Sequence, residues 1–189
     1  MIVHVRNSLL FLLLFLPACA SDDQIDLYHN ASIERMPRGL DDLRLVKSDS
    51  RLSELTTPLS GHRSILRYTA NFSGVPLIND SASRRTVIIV FDQRSPVPGR
   101  SGVGSGVLAA YLTSGAPSRP VGAYCLGMAT TGFVDVKIRK QGLYDVEFDL
   151  KFSEISGAGF KDVCPEERIV KSVRKLKPTD LMRPSSQGG

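Results

Sequence analysis

An all-β domain is what this sequence predicts: an antiparallel β-sandwich or flattened barrel of about six to seven strands, preceded by a polar N-terminal tether. Three observations carry that expectation. The stretch "FVDVKIRKQGLYDVEFDLKF" alternates apolar and charged residues on both sides of Gln141-Gly142, with Val134, Val136 and Ile138 on one arm and Tyr144, Val146, Phe148, Leu150 and Phe152 on the other. The stretch "RRTVIIVFD" is β-branched and continuously apolar from Val87 to Phe91, as a strand buried on both faces requires. Gly, Pro and Asn-Asp turn signals recur between such runs.

Taken in order, the body begins where the pattern changes at Ser64. There "SILRYTANF" sets Ile65, Arg67 and Thr69 against Leu66, Tyr68 and Ala70, and Gly74, Pro76 and Asn79-Asp80 follow as turn residues. The central apolar strand comes next, over 84 to 92. Residues 106 to 114, "GVLAAYLTS", suit a strand by their short length between Gly-rich turns, although Leu and Ala also suit a helix. The charged hairpin follows, one face apolar over a core and the other wet, with Lys and Arg able to meet Asp and Glu across the strands. After Gly157, Gly159 and Cys164-Pro165, "RIVKSVRKLK" makes a last strand or short helix. These signals bound the β-rich domain at 63 to 180 and a disordered tail at 181 to 189. Residues 19 to 62 are polar, punctuated by Pro37 and Pro58, with weak helical spacing at Leu40, Leu43, Leu52 and Leu55. They read as a flexible tether with a short helix or two.

Composition sets the class. Apolar residues are 42% and charged residues 23% of 189, ordinary values that exclude wholesale disorder and a multi-span membrane protein. The net charge of +5 is scattered, and the one dense basic run, Lys171 to Lys177, alternates with Val173 and Leu176 as a solvated face does. No nucleic-acid partner is implied.

Residues 1 to 18 have the three parts of an export signal: a weakly basic start at His4 and Arg6, an apolar block from Leu9 to Leu16, and small residues at the end. The block is shorter than the about 20 residues that a helix needs to cross a bilayer. Its final run, Leu16-Pro17-Ala18-Cys19, resembles a bacterial lipobox, with Leu three positions before the Cys and Ala just before it. Pro17 departs from the small residue usual between them. The resemblance covers the leader alone. It implies a diacylglyceryl thioether on Cys19, cleavage before that residue, acylation of the new amino terminus and, with Ala20 rather than Asp next in line, delivery to the outer membrane. Several buried acyl chains, each worth about 0.8 kcal/mol per CH₂, make such an anchor effectively permanent.

The same letters admit a second processing route. Ala18-Cys19-Ala20 fits the A-x-A pattern of ordinary signal peptidase, which would discard Cys19 and release a soluble chain from Ser21. That alternative draws on three sequons, at Asn30, Asn71 and Asn79, which a eukaryotic secretory pathway could glycosylate. On either route an even pair remains, Cys125 and Cys164, in an oxidising compartment, and a disulfide between them is expected. Closing a loop of about 40 residues, it would stabilise the domain by about 4 kcal/mol in the chain-entropy model.

Candidate chemistry is sparse. Gly102, Gly104 and Gly106 give G-x-G-x-G, which lacks the third glycine spacing and the later acid of a dinucleotide turn, and no phosphate-loop Lys is present, so no cofactor is implied. Ser105 lacks the nucleophile-elbow setting. His29 and His62 form no metal-ligand spacing. Asp145, Glu147 and Asp149 stand on one strand face about 7 Å apart, as a glycosidase pair would, yet the alternation with Lys and Arg reads as a solvated face. What remains is the loop after the central strand, where Arg94 and Arg100 mark the place for a ligand site. The expected protein is thus a lipid-anchored envelope protein with a non-catalytic binding or scaffolding domain, its partner an envelope protein, lipid or glycan. The alternatives are a secreted factor or enzyme, and a small-molecule carrier using the sandwich interior.

Overall fold

The computed structural model describes residues 21–34, 56–72, 83–115, 125–157 and 166–181. Strands dominate them, and the all-β expectation holds. They are β1 (Ser21–Ile33), β2 (Pro58–Ser60), β3 (Arg63–Phe72), β4 (Ser83–Phe91), β5 (Gly99–Val103), β6 (Gly106–Gly115), β7 (Cys125–Ile138), β8 (Tyr144–Gly157), β9 (Glu167–Leu176) and β10 (Pro178–Asp180). All belong to one sheet in the order β10-β1-β3-β4-β6-β5-β7-β8-β9, with β2 on β1. Pairing is antiparallel except for β1 with β10 and β5 with β6.

The sheet curls back on itself, giving the flattened-barrel form of the expected fold. Only Lys177 separates β9, which pairs with β8, from β10, which pairs with β1, so the chain itself joins the two ends of the strand order. Contacts across the curl agree. Tyr68 on β3 meets Phe148 on β8 edge to face at 6.2 Å, and Arg85 on β4 reaches Glu167 on β9 at 3.3 Å. Below β10 the seam between β1 and β9 is bridged by Lys171 Nζ, which donates to Asp23 at 2.6 Å and lies over the Tyr68 ring.

Alternation builds the core. Leu66, Tyr68 and Ala70 of β3, Val87, Ile89 and Phe91 of β4, and Val146, Phe148, Leu150 and Phe152 of β8 point inward and form one apolar cluster. The other face of β3, β4 and β6 carries a second buried cluster, with Ile65, Ile88, Val90 and Tyr111. The continuous apolar run of β4 follows, because both of its faces are buried.

Two expectations need correction. Residues 21 to 33, assigned to a tether, form the 13-residue strand β1, and residues 58 to 60 form β2. Ile25, Leu27, Ala31 and Ile33 are the reason, a period-2 set embedded among polar neighbours. A bulge between Tyr28 and Ala31, with Asn30 at φ 49, then switches which face the later residues present: Leu27 packs in the barrel and Ala31 in the outer cluster. The described residues also hold ten strands rather than six or seven. β2, β5 and β10 are three to five residues long, too short to show a period. Residues 19, 20 and 35 to 55 of the tether, and the tail beyond Leu181, lie outside the described residues.

Candidate functional site

The strand directions divide the barrel into two ends. β1 starts at Ser21 opposite Phe72, which pairs with Ser83; β6 ends opposite Arg84, and β7 starts opposite Ser114. This is the end at which the leader would join. At the far end lie the β4 to β5 loop, the β5 to β6 turn and the tip of the β7–β8 hairpin.

At that far end a cleft of about 300 Å³ is lined by Phe91, Asp92, Gln93, Val97, Arg100 and Ser101, and closed by Ser105 and Gly106. Its walls are held by backbone geometry. Residues 92 to 98 are pinned where Ser64 Oγ donates to the Gln93 carbonyl at 3.0 Å and the Asn30 amide donates to the Arg94 carbonyl at 3.2 Å. Pro96 is buried. The expected loop over 99 to 103 is the strand β5, paired with β7 from Gly99↔Val136 to Gly102↔Phe133. Gly104 and Gly106 take φ of 81 and 84, conformations glycine adopts without strain, and the chain turns there into β6. Two backbone bonds tie the turn, Gly104 N to Val107 O and Ser105 N to Gly102 O. A β-carbon on Gly106 would stand 3.0 Å from Ser101 Oγ, so this glycine sets the narrow side of the cleft.

The two arginines of the expected ligand loop part company. The Arg100 guanidinium lies over the Phe133 ring, 3.9 Å from its centroid, and lines the cleft. Asp135, its cross-strand neighbour, sits 3.9 Å from Lys137 instead. Arg100 therefore carries no ion pair among the described residues, and its N–H edges are open. Arg94 points elsewhere, its guanidine 3.3 Å from His62 Nδ1, and does not line the cleft. That contact also supplies His62 with a cation rather than the acid a catalytic pair would need.

The other candidates resolve into structural roles. Arg139 Nε donates to both Asp145 oxygens at 2.7 and 2.6 Å, and the Lys175 amide donates to the same carboxylate. Those bonds hold the Asp145 carboxyl down at about 2. Arg168 grips Asp149 through two nitrogens and lowers its pKa likewise. Both carboxylates are thus ion-paired on the wet face. His29 packs edge-on against Tyr144 at 5.3 Å, with Nε2 buried and unbonded. Burial pushes its pKa down, against the opposing pull of Asp180. Among the described residues no group of three or more His, Cys, Asp or Glu could hold a metal ion.

Cys19 and Cys164 lie outside the described residues. Cys125 is the first residue of β7, in register with Gly157, and the connection from Gly157 to β9 is the one that contains Cys164. Of the sequons, Asn30 donates its side-chain amide to Asp180 at 2.8 Å and is partly buried, whereas Asn71 is exposed on β3; Asn79 is outside the described residues. Sequence reasoning missed Phe133, Asp92, Gln93 and Ser101. The alternation that puts Val134 inward also turns Phe133 outward, and an outward aromatic beside β5 was the available signal. Comparison of the chain with family models, with curated proteins and with solved structures finds no match.

Proposed function

We propose that this is an exported envelope protein, anchored by lipid on Cys19, whose barrel binds a partner and performs no chemistry of its own. The observation that carries this reading is that residues 21 to 33, which follow Cys19 closely in sequence, are a strand of the barrel and not a tether. Two residues span at most about 7 Å, so the lipid would seat the barrel end-on at the bilayer with the cleft turned away from it. With residues 21 to 33 in the barrel, no 40-residue tether would stand between Cys19 and the domain. Confinement at the membrane raises the effective concentration of the cleft against any partner in the same envelope.

A Cys125 to Cys164 disulfide belongs to the same proposal. The β8 to β9 connection leaves from the residue opposite Cys125, and the bridge would tie that connection to β7. Ion-paired carboxylates and the Arg94 to His62 contact support a binding role over a catalytic one. Among the described residues, the soluble secreted reading keeps one exposed sequon, Asn71.

Intact mass spectrometry of the protein from its native host, with and without reductant, tests the proposal. The expected mass begins at Cys19 and includes diacylglycerol and a further acyl chain, and reduction adds two hydrogens. An unlipidated chain beginning at Ser21, or a glycan on Asn71, would overturn the anchor.

A further inference from the structure

We propose that the cleft binds an acidic sugar, with Arg100 taking the carboxylate. The proposal rests on reading the domain as a binding module and names its ligand class.

Charge and geometry select that class. Arg100 is the cation of the cleft, held against the face of Phe133, so its planar fork is oriented before any ligand arrives. A carboxylate matches that fork with two parallel hydrogen bonds. The cleft also contains a carboxylate of its own, Asp92, which faces solvent. It opposes a phosphate with two negative charges and calls for hydrogen-bond donors, which sugar hydroxyls supply. Gln93, Ser101 and Ser105 add an amide and two hydroxyls that both donate and accept, the usual partners of a hydroxylated ring. Phe91 and Val97 provide the apolar wall against which the C–H face of a ring can pack. A volume of about 300 Å³ stands at the lower end of small-molecule sites, which run from about 300 to 1,000 Å³, and suits a terminal sugar rather than a long chain.

The test is titration calorimetry of the mature protein with a uronic-acid disaccharide, alongside the uncharged disaccharide of the same linkage. Amide NMR shifts at Ser101, Ser105 and Gly106 locate the site. The expected result is binding of the uronate with shifts at those amides, about tenfold weaker for the neutral sugar and for Arg100→Ala. Phe133→Leu, which keeps the charge and removes its platform, should weaken binding by a smaller factor. Arg84→Ala, at the opposite end of the barrel, should change nothing, and unchanged melting temperatures would show that each variant folds. Equal binding of neutral and acidic sugars, equal binding by Arg100→Ala, absence of shifts at millimolar uronate, or tighter binding of inorganic phosphate or of an N-acetylated dipeptide carboxylate would each overturn the proposal. Failure here leaves the mass at Cys19 untouched, so the anchor and the ligand are judged separately.

Discussion

Among the described residues, Gly132 is the one whose identity the backbone constrains most tightly. It lies in β7 beside the irregularity at Ala129 and Thr131, opposite Leu150, with φ at 134. A β-carbon there would stand 2.2 Å from the Asp149 carbonyl oxygen and 2.8 Å from Leu150 Cα. Both atoms are backbone in the neighbouring strand and cannot swing aside. Gly132→Ala should therefore combine backbone strain with displacement of β8, at a cost of about 3 kcal/mol or more, read as a fall in the urea midpoint. Gly142 offers the contrast. Its φ of 68 also favours glycine, but nothing lies within 4 Å of its added β-carbon, so Ala there should cost only the conformational penalty of about 1 kcal/mol.

At the scale of elements, the outer part of the β7–β8 hairpin was legible because one period runs through residues 134 to 138 and 144 to 152 and a turn signal divides them. β1 was not. Its apolar positions, Ile25, Leu27, Ala31 and Ile33, keep one period but are interrupted by His29 and set among Asp22, Asp23 and Asp26, so the strand resembles polar linker. The cleft was half legible: a loop with arginines pointed to the right rim, whereas which arginine enters depends on a stacking partner, Phe133, about 30 residues away in sequence. The hairpin tip yields a prediction of its own. Asp145 receives Arg139 from the turn and the Lys175 amide from β9, tying three segments at one carboxylate. Its folded value near 2 lies below the usual 3.8, so the unfolded chain takes up the proton first as pH falls. The stabilisation is complete above about pH 4 and is lost as pH drops from there through about 2, with Asp149 shifting in the same direction. Asp145→Asn should flatten the slope of melting temperature against pH in that window and leave it unchanged near neutrality.

For the whole molecule, the closeness of Cys19 to β1 in sequence means that the proposed lipid anchor would also orient the barrel. A flexible linker of about 40 residues would let the barrel tumble some tens of ångströms from the headgroups; a two-residue mount would not. β4 runs the height of the barrel, from Arg84 near the joining end to Phe91 at the cleft, about 25 to 30 Å for nine strand residues. The native chain contains no Trp, so a single introduced indole reports one position without background. Arg84→Trp marks the near end and Gln141→Trp the hairpin tip at the far end, both at exposed positions. In proteoliposomes of the lipidated protein made with headgroup-proximal brominated lipid, the indole at 84 should be quenched and the one at 141 should not. Equal, weak quenching at both positions would mean that residues 19 and 20 do not hold the barrel upright, even with the lipid verified by mass. Quenching at 141 alone would place the cleft against the bilayer, where a soluble sugar could not reach it, and the binding proposal would fall with the orientation.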